Sequence, residues 1–202
     1  VTGTTDLWQE LSARLHPVDL EGAPAWQRHY ETKYAVAARL RPRSICEIGV
    51  RGGYSALAFL LACPDSFVLG IDDDSATHGG MPGMLGHARC ILAGRPFALM
   101  VYSSQALPRL PFDFDLVHVD GDHSYAGTLH DLRLAWDAGR AVLIDDYHSI
   151  PSVGQACDDF FGPRGVTLEH LDDKQVLALR DPQLASLWSV EGGFHDRQRC
   201  SV

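Results

Sequence analysis

No apolar stretch in this 202-residue chain approaches the roughly 18 residues of a membrane span, so no membrane partner is expected. Positive charge is scarce: 17 Lys and Arg stand against 26 Asp and Glu, for a net charge of −9. Nothing is more basic than the scattered Arg39, Arg41 and Arg43, whereas a phosphate backbone calls for a concentrated basic footprint. Nucleic acid is therefore not expected as a partner. The five cysteines are odd in number and form no CxxC pair, which argues against a disulfide framework or a zinc ribbon and for reduced, buried thiols. The opening residues Val1-Thr-Gly-Thr-Thr-Asp6 lack the basic-then-apolar layout of a signal peptide, and a cytoplasmic protein is expected. Internal repeats, low-complexity tracts and the GxGxxG dinucleotide fingerprint are also missing.

What is present is an ordinary globular composition, 46% apolar and 21% charged, in a chain long enough for one domain with a full core. From residue 44 onward apolar strand-like runs alternate with helix-like segments. Strands are expected at residues 44–49, 67–72, 97–102, 114–119 and 141–144, with helices at 55–62, 84–93, 125–136 and 153–161. Residues 165–171 and 175–180 flank Asp172-Asp-Lys and read as a closing β-hairpin. Two helices, 7–15 and 29–40, precede the core. The expected organisation is an N-terminal helical cap (1–43), an α/β core (44–181) and a C-terminal tail (182–202) whose pattern is too weak to place.

Two segments carry the chemistry. Asp115-Leu-Val-His-Val-Asp120-Gly-Asp122-His123-Ser-Tyr125 and Val142-Leu-Ile-Asp145-Asp146-Tyr-His148 are apolar runs that stop abruptly on carboxylates. In a parallel α/β sheet, ligands bind outside the carboxyl ends of the strands, so neighbouring strands would crowd these acids into one crevice. A like-charge cluster needs a proton or a cation to offset it, which points to a metal-assisted or acid/base site. A third segment, Glu47-Ile-Gly49-Val-Arg-Gly52-Gly53-Tyr-Ser55, is a strand, a glycine turn and a helix start that can bring backbone close to a ligand. Asp72 closes the next strand, where an acid can accept hydrogen bonds from ribose hydroxyls. Asp73 and Asp74 are expected to be solvated loop residues, and His118, inside a strand, a core histidine.

These motifs together resemble class I S-adenosylmethionine-dependent methyltransferases, and more narrowly the metal-dependent macrocin- and mycinamicin-type sugar O-methyltransferases. The resemblance covers residues 44–161. It implies a Rossmann-like, mostly parallel sheet ending in an antiparallel hairpin, with S-adenosylmethionine and Mg²⁺ as cofactors. It places Glu47, Gly49, Gly52, Ser55, Asp72, Ser104 and Asp120 around the cofactor and Asp120, Asp145 and Asp146 on the metal. Asp122 and His123 both occupy positions used for the base in such enzymes, and histidine has the more suitable pKa near neutrality. His148 and Tyr30 are expected to face the acceptor, a small hydroxylated molecule such as a sugar or a vicinal diol of a natural product. A homo-oligomer is compatible with this reading. Two rivals use the same residues: a non-haem Fe(II) site on His123, His148 and a carboxylate, and a non-catalytic cofactor-binding module.

Overall fold

In the computed structural model, which describes residues 4–77 and 80–190, the strands assemble into one seven-stranded sheet of order β3-β2-β1-β4-β5-β7-β6. The strands are β1 (Ser44–Ile48), β2 (Phe67–Asp72), β3 (Phe97–Val101), β4 (Phe114–Val119), β5 (Gly139–Ile144), β6 (Leu168–His170) and β7 (Val176–Leu179). The first five pair in parallel, and β7 joins β5 antiparallel with β6 outside it. The expected α/β sheet with its antiparallel end is thus present. Among the described residues seven α-helices accompany it: α1 (Thr4–Ser12), α2 (Ala23–Leu40), α3 (Tyr54–Ala62), α4 (Met84–Ile91), α5 (Tyr125–Ala138), α6 (Pro151–Phe161) and α7 (Pro182–Val190). Among the described residues no helix is long and apolar enough to cross a membrane.

Both faces of the sheet are covered, so the central strands read as continuous apolar runs. Cys46, Ile48, Val117, Val119, Val142 and Ile144 point to the face packed by Leu132, Val153, Cys157 and Phe160 of α5 and α6. Ile45, Leu116, Ala141 and Leu143 point the other way, against Val36 and Ala37 of α2 and Leu57 and Leu60 of α3. This strict alternation later decides which carboxylates meet. The sheet order reverses between β1 and β4, the point at which the strand ends of an open α/β sheet leave a crevice.

Element boundaries differ from the sequence reading in a few places. Helix α2 begins at Ala23 rather than at residue 29, because Pro24 occupies its first turn, where a missing N–H costs nothing. Part of the unplaced tail forms α7, whose Trp188 is buried beside Leu177, and the expectation for 191–202 lies outside the described residues. The closing hairpin is shorter than expected, three residues against four.

The crevice depends on a close approach of β1 and β4. Gly49 has φ +88°, and a Cβ placed there would lie 1.9 Å from the Asp120 carbonyl oxygen. Gly49→Ala should therefore cost at least about 1–3 kcal/mol from backbone strain alone. Gly86, exposed inside α4 with open space around it, is a control of opposite sign: Gly86→Ala should stabilise by up to about 1 kcal/mol. Urea unfolding of both variants checks the pair.

Candidate active site

The crevice is a cleft of about 420 Å³, within the range of cofactor and small-molecule sites. Gly49 to Gly52, Tyr54 and Ser55 form one wall, Asp72 and Asp73 a second, Ser103 to Gln105 a third, and Asp120 to His123 a fourth. Tyr30 of α2 closes the side. Of the expected site residues, Gly49, Gly52, Ser55, Asp72, Ser104, Asp120, Asp122, His123 and Tyr30 line it.

The glycine wall is held from two sides. Asp72 Oδ2 accepts the backbone N–H groups of Val50 (2.8 Å) and Arg51 (2.9 Å), and its Oδ1 accepts that of Asp74 (2.7 Å). A carboxylate has about four acceptor sites, so three are already used in shaping the loop. Asp73, expected as a mere loop residue, also lines the cleft. From the other side, the buried Asp19 receives the Arg51 guanidinium at 2.6 Å and the Tyr54 hydroxyl at 2.8 Å. Asp19 lies in the short 3-10 turn between α1 and α2, and no sequence pattern singled it out.

Glu47 does not line the cleft. It is buried beneath the floor with Oε1 3.2 Å from His118 Nδ1, on the sheet face shared by Ile45 and Leu116. Burial raises the Glu47 carboxyl well above its ordinary range. Burial, reinforced by the nearby Lys33 ammonium, lowers His118 well below its own. Both shifts favour the uncharged forms, a carboxylic acid against a neutral imidazole, as suits a site without solvent.

The strand-end carboxylates are not left to repel one another. Lys33, on the buried stripe of α2, donates to Asp145 Oδ2 at 2.6 Å and to Ser55 Oγ at 3.0 Å, and lies 3.8 Å from Asp120 Oδ2. Burial opposes its charge, but Asp145 and Asp120 outweigh burial and raise its pKa. Burial would likewise push Asp145 up; the ammonium instead holds it well below the carboxylate range. Lys174, in the β6–β7 turn, donates to Asp146 Oδ1 at 3.0 Å. His123 Nε2 stands 3.4 Å from Asp120 Oδ1 and 3.7 Å from Asp146 Oδ2. The hydrogen bond to Asp120 raises the His123 pKa, although partial burial opposes it. Burial and the charge of Asp145 push Asp120 up to about 6.

The expected metal trio is thereby split. Asp145 Oδ1 accepts the Asp146 N–H at 2.9 Å and Oδ2 accepts from Lys33, so both oxygens already have donors, although Asp145 also falls with His118 and Asp120 in a group whose ligand atoms lie within 4.8 Å of one another. Mg²⁺ demands near-octahedral oxygen ligands at about 2.0–2.1 Å, and three carboxylates with an ammonium among them do not fit it. A smaller group, Asp120, His123 and Asp146, has ligand atoms within 4.8 Å of one another. One of its members is held by Lys174 and another is a nitrogen base.

His148 does not reach the cleft. Its Nε2 is 3.0 Å from Nδ1 of the exposed His170 in β6, and Tyr147 stacks edge-on against it at 4.8 Å. Two histidines and a carboxylate are not brought together: each candidate ligand group among the described residues contains a single histidine. The Fe(II) arrangement is not assembled. Asp122 Oδ1 accepts the Ser124 N–H at 2.8 Å, and Ser124 caps α5 by accepting the Gly127 N–H at 3.1 Å, so Asp122 helps to start that helix.

The same fold occurs in solved structures. The SAH-bound methyltransferase PaMTH1 of Podospora anserina superposes with a TM-score of 0.58 at 20% identity, over 89% of this chain and 88% of that one. The O-methyltransferase TomG of Streptomyces achromogenes, involved in tomaymycin synthesis and solved with SAM, gives 0.63 at 19%, over 87% and 89%. The O-methyltransferase NovP gives 0.62 at 17%, over 77% and 80%. No curated protein matches the sequence. A family model described as a methyltransferase domain matches residues 46–147, just over half of the 202. That span contains the glycine turn, Asp72 and both acidic strand ends, and the chain belongs to this methyltransferase domain family.

Proposed function

We propose that this protein transfers a methyl group from S-adenosylmethionine to a hydroxyl of a small molecule. The observation that carries the reading is that one cleft holds both halves of such a reaction. The Gly49–Gly52 turn and Asp72 stand on one side, and the paired Asp120 and His123 stand on the other. The structures bound to SAM or SAH, and the O-methyltransferases among the neighbours, support it by fold.

In this reading the methionine end of the cofactor lies over Gly49 and Gly52, with the ribose sharing the Asp72 carboxylate. Ser104, at the start of a short 3-10 turn, stands on the wall available to the adenine. Asp72, Asp73, Asp120 and Asp122 make the cleft acidic, which suits a sulfonium cation. Ser55 lines the wall with its hydroxyl accepting from Lys33, and Glu47 supports the turn from beneath. Tyr30, whose phenol burial keeps protonated, offers a neutral donor to the acceptor.

Transfer requires the acceptor proton to leave as its oxygen attacks the methyl carbon. We assign that proton to His123, with Asp120 as the carboxylate that stabilises the resulting imidazolium. Asp122 is less suited, since its carboxylate anchors the start of α5. The sulfonium loses its charge in the step, so positioning and deprotonation are the main tasks of the protein. No step is assigned to a metal ion. The acceptor class we favour is a sugar or other hydroxylated natural product.

Three outcomes test this. Asp72→Ala should weaken S-adenosylmethionine binding by about 1–3 kcal/mol, measured calorimetrically, since the variant loses ribose contacts and the tether of the glycine turn. Unchanged affinity would remove Asp72 from the site. His123→Ala should slow turnover roughly 10²–10⁴-fold with cofactor affinity intact, and Asp122→Ala should do less. Finally, His123 accepts a proton only when neutral, so the rise of kcat/KM with pH should have its midpoint above the ordinary histidine value of 6.5. Asp120→Asn removes the hydrogen-bonded charge that raises it, and the midpoint should move to lower pH. A midpoint that stays put would separate Asp120 from the base.

A further inference from the structure

We propose that the Lys33 ammonium is the resident cation of the strand-end carboxylate cluster, and that chemistry in this cleft needs no divalent metal. The second half rests on the methyl-transfer reading; the first does not.

Strand parity brings the cluster together. Glu47 follows Ile45, Asp120 follows Leu116 and His118, and Asp145 follows Ala141 and Leu143, all on the sheet face packed by α2 and α3. On α2 the buried positions His29, Thr32, Lys33, Val36 and Ala37 form one helical stripe against that face. Lysine in such a stripe is costly to bury unless an anion meets it. Here its three N–H groups have Asp145 at 2.6 Å, Ser55 at 3.0 Å and Asp120 at 3.8 Å around them. The Tyr30 ring adds a π face 5.3 Å from the nitrogen.

Charge balance makes the same point. Asp145 has Lys33, Asp146 has Lys174, and Asp120 has His123, so each carboxylate already faces a cation or a group able to become one. A dication added to this set would stand beside a buried ammonium that has no route to solvent, only 3% of Lys33 being exposed. The ammonium also differs from a metal in what it can do. It cannot chelate two neighbouring acceptor oxygens, so the acceptor need not be a vicinal diol; one hydroxyl within reach of His123 suffices.

The test is a titration of Mn²⁺ into EDTA-dialysed protein, with free Mn²⁺ read by electron paramagnetic resonance. Wild type and Asp120→Asn should give the same curve, because no site at this cluster exists to be lost. Lys33→Met, which removes the charge and keeps the stem, should gain one site at least roughly tenfold tighter than any in wild type. Adding Asp120→Asn should abolish it. A Mn²⁺ ion held by wild type and released by Asp120→Asn overturns the proposal, and this comparison needs no Lys33 variant to fold. A folded Lys33→Met protein that gains no site overturns it too. Turnover on a hydroxylated acceptor should survive EDTA dialysis unchanged. Loss of turnover restored by Mg²⁺ would refute metal independence, whereas absence of any acceptor would refute the methyl-transfer reading and leave the titration standing.

Discussion

The ion pair between Lys33 and Asp145 ties the helices over the cleft to the strand ends beneath it. Buried ion pairs are weak sources of stability, because desolvation of two charges offsets their attraction, yet removing one partner strands the other at a cost of several kcal/mol. Here the pair sits at the junction of three elements: α2 supplies the ammonium, the residue just after β5 the carboxylate, and the start of α3 the Ser55 hydroxyl. Its field reaches further. The ammonium adds to burial in keeping His118 neutral. A neutral His118 can in turn accept a hydrogen bond from a protonated Glu47. Beneath the acidic rim, burial thus favours the uncharged forms of both groups.

The rim is built by backbone as much as by side chains. Gly49 lets β1 and β4 end close together because it has no Cβ to strike the Asp120 carbonyl. Asp72 then holds the turn that follows through two N–H groups, and Asp19 holds its Arg51 from the turn between α1 and α2. Arg51 itself has φ +45°, a conformation that an arginine adopts only when surrounding contacts fix it. The turn is a preorganised cradle rather than a loop waiting to be ordered, and its anchors are carboxylates on different elements.

Much of this was legible in the sequence. Strands β2 and β4 fall where alternation and turn residues place them, to the residue, and the antiparallel end follows from the hairpin around Asp172. The glycine turn, Asp72, Asp120, Asp122, His123 and Tyr30 all reach one cleft. What escaped was long-range pairing. A run such as Ile144-Asp145-Asp146-Tyr147 announces carboxylates at a strand end but not which face each takes. Parity sends Asp145 toward α2, while Asp146, at φ +59°, turns toward Lys174 and His123. Lys33 left a trace that was available: it lies at i+4 from His29 and i−4 from Ala37 on a buried stripe, where a lysine needs an anion. His148 left none, because its partner His170 belongs to a hairpin whose position next to β5 no local pattern reveals.

Placing the counter-cation behind the cleft, rather than in it, changes what the cleft can ask of an acceptor. A metal at the rim would bind the acceptor directly and lower its hydroxyl pKa, relieving the protein of much of the deprotonation. An ammonium held between Asp145, Ser55 and Asp120 leaves the rim to His123, whose raised affinity for protons makes it a stronger base than free histidine. The same carboxylate that raises it, Asp120, is itself pushed up to about 6 by burial and by Asp145, so the two groups titrate as a pair. Burial raises the proton affinity of Asp120 and lowers that of His123, whereas the hydrogen bond between them raises that of His123. The Lys33 ammonium works against the charge of Asp145 at Asp120. Base strength in this cleft follows from how three carboxylates are distributed among three cationic partners, not from any one residue.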